Sequence, residues 1–160
     1  VSTQSTGRQM PPKIERAHAG QQKHGSKQND THAAHIMSFE VLNSVMDKKV
    51  GPNYGQNAQR QIVKELNADS NLRIKTSSGN LYGKDGYSGD RYHDTRIVEA
   101  ISGDNKQIQN QQTVERIQRQ YEQVQKMDLP QRLKEEIRHQ FCQLQDGEGH
   151  VIIRKNACLE

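Results

Sequence analysis

Hydrophobic residues recur at helical spacing through most of the chain after residue 31. Val41, Leu42 and Val45 mark one face of a first helix, and Ser38 before them is a suitable N-cap. The same spacing predicts a second helix over 56–66. The N-terminal half is therefore expected to be rich in short amphipathic helices.

Two stretches break this helical pattern. Residues 71–76 alternate between polar and apolar side chains, which predicts a β-strand, and a first short strand is expected beside the apolar piece between His32 and Met37. Between the second strand and a helix predicted over 93–101 lies a segment dense in Gly, Asn and Asp, residues 79–90. Such a segment packs poorly by itself, so we expect a ligand or a function to shape it.

The last third of the chain predicts a helical hairpin. Asp104 can cap a long helix with a Gln-rich polar face, and its apolar seam consists of Ile108, Val114, Ile117, Tyr121 and Val124. Pro130 suits the first turn of a second helix, whose apolar stripe consists of Leu133, Ile137, Phe141 and Leu144. Residues 151–153 form a short strand or a docked tail. The expected fold class is α+β and mainly helical.

The supply of apolar residues is thin. Hydrophobic residues make up 31% of the 160 positions, against roughly 45–50% in an ordinary globular domain. This is enough for one small core and excludes a large α/β enzyme. We expect a basic flexible segment at 1–30, a compact core at 31–103 and the hairpin with a C-terminal tail at 104–160. The start at Val1 suggests a domain cut from a longer polypeptide.

Net charge and cysteine content limit the kinds of partner and of cellular compartment that suit this protein. Lys and Arg number 23 against 19 Asp and Glu, and the resulting net charge of +4 suits a polyanionic partner. No apolar run reaches the roughly 18 residues that a membrane span needs. Cys142 and Cys158 make neither a disulfide framework nor a four-thiolate zinc site, and Cys142 is expected to be a buried, inert thiol. These observations favour a protein that works in a reducing compartment. The alternative is a protein that passes through other compartments without needing disulfides.

Three short blocks carry the candidate chemistry. Residues 32–37 read HAAHIM, residues 71–74 read NLRI, and residues 91–98 read RYHDTRIV. Their order places a histidine on a first strand, an asparagine on a second strand and a histidine on the following helix. If the fold gathers these side chains, they make a divalent-metal pocket with one imidazole left over as a base.

This arrangement resembles the HNH/endonuclease VII-like nucleases, the His-Me finger or ββα-metal group, and in particular the AHH-like toxin domains of polymorphic bacterial toxins. The resemblance covers about residues 31–101. It implies a ββα-metal core with additional helices and the C-terminal hairpin. By the same resemblance, His35 is the general base, Asn71 its positioner and His93 a ligand of one divalent ion, which is Mg, Mn, Ni or Zn.

Position 34 departs from the family pattern. The family usually has a tandem HH in which a metal ligand directly precedes the base, and this chain has Ala34 there. In one interpretation Ala34 replaces a site histidine, which leaves the chain inactive or feeble. In the other, His32 or Asp30 supplies the missing ligand from a shifted position.

Phosphodiester hydrolysis explains why these residue types occur together. A divalent ion orients the scissile phosphate and relieves its charge, while a neutral imidazole that titrates near pH 6.5 takes the proton of the attacking water. An amide or backbone carbonyl on the adjacent strand fixes the imidazole tautomer. Candidate phosphate-binding residues are Arg91 and Arg96, which flank His93, together with Arg73 on the second strand.

The resemblance thus implies a metal-dependent endonuclease that hydrolyses DNA, with RNA as the second choice. It would be a secreted or delivered effector that acts in the cytoplasm of a rival bacterium and is blocked by a cognate immunity protein. The competing hypothesis is a non-enzymatic module in which the Gln-rich hairpin mediates partner binding or oligomerisation. The Gly-rich segment leading into His93 favours the nuclease, because a scaffold has no need of it.

Overall fold

The computed structural model describes residues 31–48, 54–76 and 89–158. They form an α+β fold that is mainly helical, as predicted. In chain order the elements are β1 (Thr31–His35), α1 (Phe39–Lys48), α2 (Gln56–Leu66), a 3-10 turn (Asp69–Asn71), β2 (Leu72–Thr76), α3 (Asp90–Ser102), α4 (Gln111–Lys126), α5 (Gln131–Phe141) and α6 (Lys155–Cys158). The expectations for residues 1–30 and for most of the Gly-rich segment lie outside the described residues.

The two strands form an antiparallel sheet although two helices separate them in the chain. Thr31 pairs with Thr76, and His35 pairs with Leu72. The end of β1 and the start of β2 are therefore neighbours, so the first and second sequence blocks lie side by side. Helix α3 begins at Asp90, which puts His93 in its first turn rather than at its start.

Local hydrogen bonds explain where the helices begin. Ser38 caps α1 as predicted, because its Oγ accepts the amide hydrogen of Val41 at 3.1 Å. The cap predicted at Asp104 is wrong: Asn110 caps α4, and its side chain accepts from the backbone N–H groups of Gln112 and Thr113. The chain ahead of α4 is extended there, and Ile108 is buried as part of it.

One hydrophobic core joins the N-terminal helices to the hairpin. Helix α1 packs against α3 and α5, and α4 packs against α3 and α5. The seam of α4 is buried within the chain, as is the stripe of α5. The hairpin therefore packs on the compact part of the protein and leaves no exposed seam for a partner. None of the described helices has the length and apolar character to cross a membrane.

The C-terminal segment is a docked tail. Ile152 and Ile153 are buried, and Val151 forms an isolated bridge with Gln145. A disulfide joins Cys142, just after α5, to Cys158 in α6, with 5.7 Å between the Cα atoms. The prediction that Cys142 is an inert thiol is therefore wrong, because the tail folds back along α5 and brings the second sulfur to it.

Glutamines of α4 connect the hairpin to the loops around it. Nε2 of Gln123 donates to the backbone oxygen of Ser70 at 3.2 Å, in the turn that leads into β2. Nε2 of Gln118 lies 3.5 Å from the backbone oxygen of Ile152 in the docked tail. The Gln-rich face predicted to be merely polar therefore takes part in the fold.

Candidate functional site

His35 lies at the end of β1 with a half-buried ring whose orientation is fixed from two sides. Its Nε2 is 2.8 Å from Oδ1 of Asn67, the residue that ends α2. The ring also meets Phe39 edge-on, with 5.1 Å between the ring centroids. An amide oxygen can only accept, so Nε2 carries the hydrogen, and in the neutral ring Nδ1 is the nitrogen that can accept a proton.

Asn71 has a different task from the one predicted. It is fully buried, and its Oδ1 accepts from the backbone N–H of Met37 at 2.9 Å. Its Nδ2 donates to the backbone oxygens of Met37 at 3.2 Å and Leu66 at 2.8 Å. The amide of Asn71 is therefore bonded to two stretches of main chain, one just after β1 and one at the end of α2. The amide that bonds the His35 ring is that of Asn67.

His93 lies inside the protein, between α3 and α4. The residue is 4% exposed, and its Nδ1 shares a 2.7 Å hydrogen bond with the hydroxyl of Thr113. The neighbouring Tyr92 ring lies edge-on to it at 5.4 Å between centroids. The bond to Thr113 occupies Nδ1, so that nitrogen is not available to a metal ion.

Two carboxylates in the first turns of α3 are directed at a buried arginine. Arg116 of α4 is 1% exposed and holds Asp94 in a two-pronged contact. Its Nη1 also lies 3.6 Å from Oδ1 of Asp90. Burial raises the pKa of the Asp94 carboxyl above its usual value, and the adjacent Arg116 opposes that shift. These carboxylates therefore balance the guanidinium charge.

The described residues do not assemble a metal site of the predicted kind. No group of three His, Cys, Asp or Glu side chains that could hold an ion is found within the described ranges. His93 is buried against Thr113, and Asp90 and Asp94 face Arg116. The side chain of His32 lies outside the described residues. These residues do not fit the ligand set that the resemblance implies, and we derive no step through a metal.

Ala34 is 2% exposed and pairs with Arg73 in the sheet. Successive strand residues point to opposite faces, so the side chains at positions 34 and 35 diverge. A histidine at this position would bring a whole ring into a covered site. That ring would lie on the sheet face opposite to the ring of His35.

The three candidate phosphate-binding arginines lie on the surface. Arg73 of β2 has a side chain that is 43% exposed and lies 3.7 Å from Oδ2 of Asp90, at the start of α3. Arg91 is exposed in the first turn of the same helix. Arg96, with a side chain that is 40% exposed, lies 4.0 Å from Glu99. Arg73 therefore reaches the N-terminal end of α3, the helix that carries Arg91 and Arg96.

Arg116 brings the separate blocks into one region. Its Nη2 donates to the backbone oxygen of His35 at 3.2 Å while also bonding Asp94, the residue after His93. The end of β1 and the first turns of α3 are thus within reach of one guanidinium. The structure therefore brings the backbone of His35 and the side chain of Asp94 to one guanidinium.

Sequence reasoning missed Asn67 and Arg116, although a signal for the latter exists. Four buried polar residues follow steps of three, four and three along α4, each one position before a seam residue: Thr113, Arg116, Gln120 and Gln123. We call them the polar stripe. The spacing places these four side chains on one face of α4 beside the seam, and Arg116 is the charged residue among them. The signal is partial, because Glu115, Gln118, Glu122 and Gln125 keep the same spacing on the other side of the seam and are exposed.

Comparisons with family models, with curated proteins and with solved structures find no match for this chain.

Proposed function

We propose that the protein is an endonuclease that hydrolyses phosphodiesters, with DNA as the favoured substrate and RNA as the second choice. The observation that carries the proposal is the setting of His35. Its ring is half-buried at the end of a strand, and the amide of Asn67 fixes it through Nε2. A base that takes a proton from water needs this combination of partial exposure and a fixed tautomer.

In this proposal His35 accepts the proton of the attacking water, and Asn67 holds the imidazole so that Nδ1 does the accepting. Arg91 in the first turn of α3 binds the phosphate, because an exposed guanidinium pairs well with phosphate oxygens. Arg73 pairs with Ala34, so its side chain lies on the sheet face opposite to His35 and takes no part in this step. The described residues do not fit the ligand set of the implied divalent ion, so no step of this proposal depends on that ion. Divalent ions enter only as conditions of the test.

The biological setting follows the same resemblance. A nuclease of this kind would be secreted or delivered into the cytoplasm of a rival bacterium, and a cognate immunity protein would block it in the producing cell. The Gln-rich interaction module is the weaker hypothesis, because the seam residues Val114, Ile117 and Val124 are buried in the chain's own core.

The test incubates the purified chain with plasmid DNA and, separately, with a structured RNA. Each substrate is tested with Mg²⁺, Mn²⁺, Ni²⁺ or Zn²⁺ and with EDTA. We expect cleavage with at least one ion, and His35→Ala should slow it by about a hundred- to ten-thousand-fold. The matched control is His139→Ala, since His139 is exposed on α5 and its ring bonds to Gln143 one turn further along the same part of the chain. Absence of cleavage of both substrates with every ion would refute the proposal, as would a fully active His35→Ala variant.

A further inference from the structure

The buried guanidinium of Arg116 makes more contacts than an ion pair requires. Its Nε donates to Oδ1 of Asp94 at 2.7 Å, and its Nη2 donates to Oδ2 of the same residue at 3.1 Å. Nη2 also donates to the backbone oxygen of His35 at 3.2 Å. Gln120 donates to Asp94 as well, at 2.9 Å. One side chain on α4 therefore bonds both α3 and the last residue of β1.

The stability gained from the buried Arg116–Asp94 ion pair does not explain why the protein buries these two charges. Burying a charged pair costs desolvation energy that its attraction barely recovers, and apolar side chains of similar volume often serve the fold as well. A guanidinium in this place does something that an apolar side chain does not, which is to hold a backbone carbonyl in a fixed direction.

The peptide unit after His35 is held at both of its polar atoms. Its carbonyl oxygen, on His35, accepts from Arg116, and its N–H, on Ile36, donates to the backbone oxygen of Asn71 at 2.9 Å. These two bonds, at opposite edges of the peptide, fix the peptide plane and with it the Cα of His35, because that Cα belongs to the same planar unit. The Cα–Cβ bond then takes its direction from the strand conformation that the pairing of His35 with Leu72 imposes.

We propose that Arg116 is a positioning residue, which fixes the main chain of His35 and thereby aims its imidazole at the reacting water. The inference rests on the proposed function. The ring is fixed from one side by Asn67 and the backbone from the other by Arg116, so the base is held by two independent contacts. Misplacing a reacting group by about 1 Å can cost about a hundred-fold in rate.

The test uses Arg116→Lys, which keeps the positive charge beside Asp94 but has a single ammonium group in place of the fork that bonds Asp94 and His35 together. The matched control is Arg138→Lys, because Arg138 also donates to a backbone oxygen, that of Ala157 at 3.3 Å, far along the chain from His35. A second variant, Arg116→Gln with Asp94→Asn, removes both charges of that pair. Asp90, the other carboxylate beside Arg116, keeps its contact with Arg73 at 3.7 Å.

Two readouts are measured on each folded variant. The first is cleavage of plasmid DNA, for which we expect kcat to fall by about 10- to 100-fold with KM changed by less than about two-fold. The second is the NMR resonance of the His35 imidazole nitrogens, which should shift and broaden as the ring samples other orientations. The Arg138→Lys control should change neither.

The outcomes separate the two proposals. If the natural chain cleaves no nucleic acid, the proposed function fails, and the His35 imidazole resonances alone decide the positioning role. If Arg116→Lys or the double variant folds with natural kcat and unchanged His35 resonances, the positioning role is refuted. If neither variant folds, Arg116 serves the fold rather than the base, and the inference is refuted as well.

Discussion

The side chain of Asn71 bonds both polar atoms of the Met37 backbone: it accepts from the N–H and donates to the C=O. A third bond runs to the backbone oxygen of Leu66 at the end of α2. One amide therefore fills the hydrogen-bonding needs of three buried backbone groups from two distant parts of the chain. This places Asn71 among the residues that hold the sheet end together.

Replacing Asn71 by Ala should destabilise the protein strongly, because the backbone groups it bonds would stay buried without partners. We expect the free energy of unfolding, measured with urea, to fall by about 3 kcal/mol. Asn57→Ala is the control, since Asn57 is exposed on α2. A loss no larger than that of the control would show that the backbone groups find other partners.

Replacing Asn67 by Ala should lower the rate of cleavage in a protein that still folds. The variant loses the bond to Nε2 of His35, so the ring can turn and the tautomer is no longer fixed. We expect a rate of plasmid cleavage about a hundred-fold lower, with Asn57→Ala again at the natural rate. An undiminished rate in folded Asn67→Ala would assign the orientation of the ring to other contacts.

A histidine at position 34 should harm the fold and bring no activity. Ala34 is covered by its surroundings, and inserting a ring overpacks the site. We expect the free energy of unfolding of Ala34→His to fall by about 1–3 kcal/mol, whereas Gln61→His on the exposed face of α2 leaves it unchanged. Faster cleavage by a stable Ala34→His protein would instead support the interpretation that this position lost a metal ligand.

Breaking the Cys142–Cys158 disulfide should loosen the docked tail. The two residues are 16 positions apart, and closing a loop of about that length in the unfolded chain is worth about 3 kcal/mol. Reduction by a dithiol should lower the melting temperature, and limited proteolysis should then remove residues near 151–158. The variant with both cysteines changed to Ser serves as the control, because the reductant should not affect it.

The carboxylate of Asp146 should stabilise the turn before the tail only when it is ionised. Its Oδ1 accepts the backbone N–H groups of His150 at 3.0 Å and Glu148 at 2.9 Å, and these bonds lower the pKa of Asp146 below its ordinary value. Because the pKa is lowered on folding, the stabilisation is present above the ordinary pKa of about 4 and disappears as the pH falls through the folded value.

Asp146→Asn should therefore melt at a lower temperature than the natural chain at neutral pH, and the two melting curves should converge in acid. Thermal unfolding followed across that pH range tests this. The control is Asp104→Asn, since Asp104 is an exposed carboxylate that caps no helix. A difference that stays constant from neutral pH into acid would contradict the role of the ionised carboxylate.

Local patterns predicted the elements well, because each depends on neighbours in the chain. Helix α2 has the predicted bounds 56–66, and Ser38 caps α1 as its side chain indicates. The seam and stripe of the hairpin face inward because their spacing puts apolar side chains on one face of each helix, and burying that face removes them from water. The predicted start of α4 is wrong, because Asp104 and Asn110 are equally good N-caps by residue type. Which of the two caps the helix depends on the path of the chain between them.

The site was harder to predict, because its contacts join residues that are far apart in sequence. The bond from Arg116 to His35 spans 81 positions, and the bond from Asn67 to the same residue spans 32. The sequence shows both Asn67 and Asn71 near the end of α2, but not which of the two amides reaches an imidazole. The disulfide was missed because two cysteines do not reveal that the tail folds back along α5.

The links between the Gln-rich helix and the loops around it carry no formal charge. Gln123 holds the turn before β2, and Gln118 reaches the docked tail, each through a neutral amide. Dissolved ions screen attractions between exposed charges but act little on neutral hydrogen bonds. These two bonds should therefore change little between a dilute buffer and a concentrated salt solution, unlike ion pairs on the surface.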